Sequence, residues 1–539
     1  MPEPANDPRN RMVLPPWMKL GALAVFAATL VILGLIHQRS TGWNVNSRLA
    51  LVFAIVDEGS FSIDGYHEEG TITHTMDKAV FEDRYYSDKV FGVSLLAVPP
   101  YAAMQAAGAL FNVEWSFWAK VYVLRLLAVS LPGAISAALL WLLLVRGGAP
   151  PRRALFAVMA ALFGSMWFGY ATIFMPYIPG IAACLGALYV LLYPPANRLT
   201  VRNSAAIGLL CGFAMICDFI FGLMVIGIGV VYLLRLADQT GLKGMRCFAE
   251  MQGPRTAVRG GGVLLAAGAV AGALPLVLFF AYTYAIFGRV GIPYEYEAWP
   301  LFREAMQQGF MGIRTPKPAN AWFLTLHPYR GVLFWSPWIV LALAGCVLGT
   351  RSAGRRRLWG WLGLWAFVAY LVFNSGYYMW WGGWAMGPRL MLPMMVALPM
   401  GLAEVCRRDR PAWLWWAFVG AGVVALALNV PLALMDPQLP QGNPHEVLDA
   451  AGFATKLAIP QFTFLKVFYT GQWFFPPEDV PREIWRYLPL AGLVLAGAIL
   501  AAAARVLPEK HLPYERLEVP LVNFDGTAAP PPVAGRRRA

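Results

Sequence analysis

The segment Trp43–Lys89 reads WNVNSRLALVFAIVDEGSFSIDGYHEEGTITHTMDKAVFEDRYYSDK and holds nine acidic residues against four basic ones. Two Asp-Lys pairs, Asp77-Lys78 and Asp88-Lys89, stand eleven residues apart in it, the second directly after Tyr85-Tyr86-Ser87. An Asp ionised near neutral pH can take the proton of a sugar or lipid hydroxyl, and such a base typically contributes about 10²–10⁴-fold. A lysine beside it can bind a phosphate leaving group and stabilise its growing charge. Asp88 is therefore the first candidate base and Asp77 the second, with Lys78 and Lys89 as candidate phosphate ligands. Scattered acids such as Glu82 and Asp83 read as solvated loop charges. Arg48 follows Asn44 and Asn46, with Asp57, Glu58 and Asp64 beyond. Its planar fork matches phosphate oxygens. The plain alternative is an interfacial arginine that snorkels to the headgroups.

Two later segments carry similar chemistry. Residues 294–331 mix Tyr294, Tyr296, Trp299 and Trp322 with Glu295, Glu297, Arg314, His327 and Arg330. An aromatic belt at a membrane surface has much the same composition. Arg330, next to an apolar run, stands apart as a ligand for a lipid phosphate at headgroup height. Residues 374–389, NSGYYMWWGGWAMGPR, place three Trp, two Tyr and four Gly before Pro388-Arg389. Gly-rich backbone at membrane depth is tolerated only where protein or a cavity covers it. This segment reads as a re-entrant site element. Tyr378 and Trp381 suit a sugar ring, and Arg389 suits phosphate. His67, His74 and His327 show neither HxxxH nor HExxH spacing. No metal is assigned from spacing, and a divalent cation on Asp and Glu oxygens stays open.

These residues must be positioned by membrane-spanning helices. The 539-residue chain is 58% hydrophobic and 14% charged, with a mean hydropathy of +0.54. A soluble chain of this length carries nearly twice the charge. Continuous runs such as Leu20–Ile36, Val121–Val145, Gly261–Phe287 and Tyr487–Ala504 have the length that about 30 Å of hydrocarbon requires. They do not alternate, which excludes a membrane barrel. The first run follows Arg9, Arg11 and Lys19, lacks a small-residue cleavage site, and reads as a retained span. The formal charge of +13 lies in short loops between apolar runs, the pattern of cytoplasmic loops rather than of a nucleic-acid surface. The six cysteines show no disulfide or CxxC pattern.

Spans near 18–37, 121–145, 154–173, 177–193, 205–217, 219–236, 261–288, 331–349, 358–374, 390–405, 413–435 and 486–504 put the basic loops 146–153, 197–203, 235–259, 351–357 and 407–410 on one side. This holds if 90–111, interrupted by Pro99-Pro100, lies along the outer surface as a juxtamembrane element instead of crossing. The expectation is an all-α polytopic membrane protein with about twelve spans and both termini cytoplasmic. Its single integral-membrane domain covers 1–505. The loops 38–120, 289–330, 375–388 and 436–484 face outward, and 506–539 form a cytoplasmic tail whose Pro-rich end, 528–538, reads as disordered. Asp218, at the turn between two short spans, is expected to face an internal cavity.

Together these features resemble the GT-C superfamily of integral-membrane glycosyltransferases, in the branch of protein O-mannosyltransferases (family 39) and lipid A aminoarabinose transferases. YYSDKVFG at 85–92 looks like the acid-plus-lysine element before that family's surface helix. HPYRGVLFWSPW (327–338) and YYMWWGGWAMGPRLMLP (377–393) look like motifs of bacterial members. The resemblance implies transfer of one sugar, hexosyl or pentosyl, from a polyprenyl-phosphate carrier to a hydroxyl acceptor on a lipid, glycan or protein. The reaction would occur at the periplasmic face of a bacterial inner membrane. The family's acidic residue just after span one falls near Asn44–Asn46, where this chain has amides. That departure moves the base to Asp64, Asp77 or Asp88. A transporter or flippase of lipid-linked saccharides is the rival reading. Transporters bury ionisable groups at midplane, whereas here Asp218 is the main such residue, with Arg125 and Glu404 near span ends. A purely structural membrane protein leaves the segregated acids unexplained.

Overall fold

The computed structural model describes residues 14–38, 41–240, 259–439, 459–470 and 487–509. Most of the outward segment 436–484, the basic stretch 241–258 with Cys247, and the tail from 510, including its Pro-rich end, lie outside the described residues. The chain is a helical polytopic membrane protein. Among the described residues eight helices are long and apolar enough to cross a membrane: Pro16–Gly34, Gly92–Phe111, Phe117–Arg146, Phe219–Thr240, Gly260–Phe287, Gly354–Gly376, Ala412–Met435 and Leu488–Val506. Tyr177–Leu192, Val201–Cys217 and Trp338–Thr350 are shorter apolar helices. The other five described cysteines are free and buried.

Several elements differ from the sequence reading: the helix in the span expected at 154–173 ends at Phe163, and the one expected at 331–349 is broken at Ser336-Pro337 into Val332–Trp335 and Trp338–Thr350. The span expected at 390–405 is not an α-helix. Arg389–Val396 and Leu398–Gly401 are 3-10 helical, and only Leu402–Val405 is α-helical. Pro393 and Pro399 lack the N–H that an α-helical ladder needs, and nearly every side chain from Met391 to Val405 is buried among neighbouring helices. Gly92–Phe111 is one continuous helix that runs through Pro99-Pro100, where a break was expected. Pro99 and Leu95 sit on its exposed side, so the carbonyls released by the missing N–H groups disturb no packed neighbour. Its length and composition suit a crossing segment; placing it on the surface rests on the distribution of basic loops.

Close helix contacts come from glycine. Gly208 and Gly212 on Val201–Cys217 face Gly268 and Gly272 on Arg259–Phe287. A Cβ at Gly208 would stand 1.9 Å from the Gly268 carbonyl oxygen, and one at Gly212 would stand 2.1 Å from that of Gly272. Small residues spaced i, i+4 on both helices let the backbones touch, as membrane helices do when water supplies no driving force. Gly92 packs against the backbone of Ile216 in the same way, where an added Cβ would stand 2.4 Å from the carbonyl oxygen. The Val90–Gly92 corner is thereby seated against the end of Val201–Cys217, next to Asp218. Buried Arg125 donates to the carbonyls of Leu33 (2.7 Å) and Ile36 (2.5 Å), satisfying the C-terminal end of the first helix.

The acid-rich segment is built on a short helix, Trp43–Phe53, a π-helical turn, Ala54–Glu58, and a two-stranded hairpin, Lys78–Phe81 with Arg84–Ser87. Glu82 and Asp83 form its turn at φ 49° and 58°. Positive φ at both central residues is the geometry of a two-residue hairpin loop.

Candidate functional site

The hairpin register pairs Lys78 with Ser87 and Phe81 with Arg84. One step beyond the paired residues, Asp77 and Asp88 come opposite each other. The eleven-residue spacing of the Asp-Lys pairs is thus the spacing of a two-residue turn flanked by four-residue strands. Between the two carboxylates stands the Lys89 ammonium, 3.0 Å from Asp77 Oδ2 and in a short contact with Asp88 Oδ2. Asp88 is 1% exposed, Lys89 8% and Asp77 9%. Ser47, on the helix Trp43–Phe53, donates to Asp88 Oδ1 at 3.3 Å and shares a 2.8 Å hydrogen bond with Ser87.

A third carboxyl joins from segment 289–330. Glu297 pairs through its backbone with Ala79 in an isolated bridge, and the N–H of Ala298 donates to the Lys78 carbonyl at 2.8 Å. The hairpin edge therefore fixes Glu297, 2% exposed, with its carboxyl in the field of Asp88, Lys89 and Asp77. Burial, and then the Asp88 charge, push the Glu297 carboxyl up to about 10. A carboxyl so raised holds its proton through neutral pH and adds no third negative charge beside Asp88. Burial also raises Asp88, against the pull of Lys89. For Lys89 burial opposes the charge, but Asp77 and Asp88 outweigh it and hold the ammonium well above its usual range. Of the cluster's four groups, Asp77 is the most open.

Tyrosines and arginines extend the cluster inward. Lys89 lies 5.9 Å from the Tyr294 ring. Tyr378, pinned by a 2.9 Å bond from its N–H to the Gly312 carbonyl, packs on Tyr377 at 4.8 Å and lies in the field of Lys89, Glu297 and Asp77. Arg48 is 1% exposed and donates to the Val90 carbonyl at 2.6 Å and to Asn44 Oδ1 at 3.1 Å. Asp218 lies in the field of Arg48, Arg389 and Lys89. Its Oδ1 accepts from the Ile220 N–H at 3.2 Å. Arg389 approaches Tyr170 and Tyr177 and feels both Asp77 and Asp218, and its buried Nε has no protein partner. Gly382 and Gly383, at φ 76° and 65°, fold the aromatic segment over Arg389; a Cβ at Gly382 would stand 3.1 Å from Arg389 Cγ. Only glycine adopts that backbone without strain.

Asp77, Asp88, Lys89, Arg48, Arg389 and Tyr378 thus converge. Lys78 turns away: its Nζ lies 2.8 Å from His67 Nδ1 and 4.9 Å from the Tyr85 ring. Asp64 lies outside the cluster, where it accepts from the Tyr85 N–H at 2.7 Å and faces Arg84 at 3.5 Å. Arg330 borders Arg389, but its fork donates to the carbonyls of Ala385 and Gly383 and supports the glycine segment from beneath. Trp381 is half-buried beside Trp380, 6.1 Å away. Asn46 is spent on structure, donating to the His74 carbonyl at 2.8 Å. Glu297 and Tyr294 are the residues that sequence reasoning left inside a mixed interfacial segment. Nothing in 294–331 distinguishes Glu297 from Glu295; only the backbone bridge to Ala79 does. Among the described residues no group of three or more His, Cys, Asp or Glu is disposed to hold a metal ion. An ammonium already sits between Asp77 and Asp88.

No family model and no curated protein matches the chain. Among solved structures it is similar to ArnT from Cupriavidus metallidurans bound to undecaprenyl phosphate, with 16% identity over 92% of this chain and 77% of that one and a TM-score of 0.46. It is similar to the arabinosyltransferase EmbB from Mycobacterium smegmatis, with 12% identity over 97% of this chain and 44% of that one and a TM-score of 0.39. It is also similar to the Archaeoglobus fulgidus oligosaccharyltransferase, with 13% identity over 88% of this chain and 61% of that one and a TM-score of 0.38.

Proposed function

We propose that this protein is a GT-C-type glycosyltransferase that moves one sugar from a polyprenyl-phosphate carrier to a hydroxyl acceptor at the outward, periplasmic face of a bacterial inner membrane. The observation that carries this reading is the buried Asp77–Lys89–Asp88 cluster, joined by Glu297 and standing beside Arg389, whose Nε has no protein partner. A base, a cation for the leaving phosphate and aromatic walls for a sugar converge there. That is the set such a transfer needs.

Division of labour follows from exposure and partners. Asp77, the most open carboxylate, suits the acceptor hydroxyl. Asp88, enclosed by Ser47, Glu297 and Lys89, suits holding the ammonium in place. In the transfer, Asp77 takes the acceptor proton as the acceptor oxygen bonds to the anomeric carbon. The bond from that carbon to the phosphate oxygen breaks, and its electron pair leaves with the polyprenyl phosphate. Arg389 meets the charge that develops there, with Lys89 and Arg48 adding positive potential. Tyr378 and Tyr294 flank the sugar, and the prenyl chain lies against the apolar helices.

The test uses the purified full chain in nanodiscs with a radiolabelled polyprenyl-phosphate sugar and measures release of polyprenyl phosphate. Asp77→Asn is expected to fold and insert normally and to lose at least ~100-fold in turnover, the low end for a base. Asp88→Asn should lose activity together with thermal stability. Full activity in Asp77→Asn removes that residue from the chemistry. Label crossing the bilayer without cleavage would replace the enzyme reading by a flippase.

A further inference from the structure

A second cluster of cations, unused by the proposed transfer, lies at the far end of the bundle. Tyr177 begins the sixteen-residue helix Tyr177–Leu192 beside Arg389. The helix rises about 24 Å from there to its other end, where Tyr193 follows. Three arginines from three helices gather around that tyrosine. Arg146, the last residue of Leu131–Arg146, places its guanidinium 4.6 Å from the Tyr193 ring and 5.2 Å from Tyr189. Arg355, in the first turn of Gly354–Gly376, lies 4.9 Å from the same ring and donates to Asn197 Oδ1 at 2.6 Å. Arg235, 0% exposed, donates to that oxygen at 3.1 Å, to the Asn197 carbonyl at 3.2 Å and to the Leu192 carbonyl at 3.4 Å.

Two guanidiniums therefore share one neutral amide oxygen, and a third leans on the same ring. Asp238, one turn beyond Arg235 on Gly222–Thr240, is the acid of this region. Among the described residues no carboxylate comes within ion-pair distance of Arg146 or Arg355, whereas neighbouring Arg356 pairs with Glu404 at 3.5 Å. The Nε of Arg146 is buried with no hydrogen-bond partner. Interfacial arginines normally reach for water; Arg146 and Arg355, half-buried, lean instead on the Tyr193 ring, which pre-sets their forks.

We propose that Arg146, Arg235 and Arg355 around Tyr193 form a binding site for a phosphate group, that of an anionic phospholipid headgroup in the leaflet opposite the acidic loop. The lipid is favoured over free phosphate by the height of the site: Arg146 closes Phe117–Arg146 and Arg355 opens Gly354–Gly376, two helices long and apolar enough to cross a membrane, which puts the cluster where spans meet headgroups. The site is independent of the sugar-transfer chemistry and would couple the bundle's stability to the charge of its lipid.

The test is thermal unfolding of the purified full chain in detergent, followed by tryptophan fluorescence, with added dioleoylphosphatidylglycerol, dioleoylphosphatidylcholine or inorganic phosphate. Native mass spectrometry counts retained lipid in parallel. The wild-type protein should be stabilised by, and retain, phosphatidylglycerol in preference to phosphatidylcholine. Arg146→Gln/Arg355→Gln should need roughly tenfold more phosphatidylglycerol for the same shift, the loss of about 1.4 kcal/mol. Arg355→Lys, which keeps the charge, should fall between them. Stabilisation by inorganic phosphate at millimolar concentration, with none from the lipid, overturns the lipid assignment and leaves a free-phosphate site. Equal response to the two lipids in the wild type overturns the proposal, without recourse to a variant that might misfold. An unchanged response in the double variant overturns it too.

Discussion

At the level of single residues, three carboxyls and one ammonium share a buried volume, and their protonation follows from that count. With Lys89 charged, two carboxylates balance poorly and a third charge would be prohibitive, so Glu297 stays neutral. The consequence for stability has a definite sign. The folded protein holds the Glu297 proton up to about pH 10, while the unfolded chain releases it near 4.5. Stability must therefore fall as pH rises through that window. Asp88 and Lys89 are raised as well and act in the same direction, while His67, lowered by burial and then by Lys78, acts oppositely and only in the acid range. Glu297→Gln is neutral at every pH and nearly the same size as the native side chain. Its melting temperature should decline less than that of the wild type between pH 7 and pH 10. Parallel curves for the two proteins would show that Glu297 carries no displaced proton. The two Asp-Lys pairs were open to sequence reasoning as candidates by residue type, whereas the approach of Asp77 to Asp88 depends on the hairpin register. Glu297 was not open to such reasoning, since its role depends on a contact made across more than two hundred residues.

Elements bring these residues together, and two kinds of element did so with unequal legibility. Long apolar helices such as Gly354–Gly376 and Ala412–Met435 follow from hydropathy alone, with ends within a few residues of those read from the sequence, whereas the run read at 154–173 stops as a helix at Phe163. The segment after Arg389 did not follow. Its hydropathy is that of a span, but Pro393 and Pro399 turn it into 3-10 helix, so apolar composition reported burial rather than an α-helix. The hairpin was hidden differently: Glu82 and Asp83 have neither the glycine nor the asparagine that usually marks such a turn. Glycine contacts between Val201–Cys217 and Arg259–Phe287 also left a signal in the sequence, Gly208 with Gly212 and Gly268 with Gly272. They matter to the site, because one helix ends at Asp218 and the other leads to Glu297. Gly212→Ile forces these backbones apart, since even a Cβ there meets the Gly272 oxygen at 2.1 Å. Overpacking of this kind typically costs about 1–3 kcal/mol. The variant should melt several degrees lower and lose sugar transfer even though every ionisable residue is intact. Unchanged melting and activity in Gly212→Ile would mean that the two helices do not set the position of Glu297.

For the molecule as a whole, the arrangement divides charge between two ends. Carboxylates collect at the hairpin end, with Glu68 and Glu69 exposed around it. Arginines collect at the other, where Arg356, Arg407 and Arg410 enclose Glu404 and where Arg146, Arg235 and Arg355 surround Tyr193. Helices such as Gly354–Gly376, about 34 Å long, run from one end to the other, from Arg355 to the residue before Tyr377. Basic loops are retained on the cytoplasmic side during insertion, which is why the proposed transfer is assigned to an outward-facing hairpin end. Single cysteines test this directly because the five described native ones are buried. Glu69→Cys and Arg408→Cys both replace exposed residues. In spheroplasts, a membrane-impermeant maleimide should label Glu69→Cys at once and Arg408→Cys only after the membrane is opened. Labelling of both from outside would put acid cluster and arginine cluster on one face, and neither the outward sugar transfer nor the opposite-leaflet lipid site would survive that result. The reverse order, with Arg408→Cys labelled first, would turn the enzyme toward cytosolic acceptors while leaving its chemistry intact.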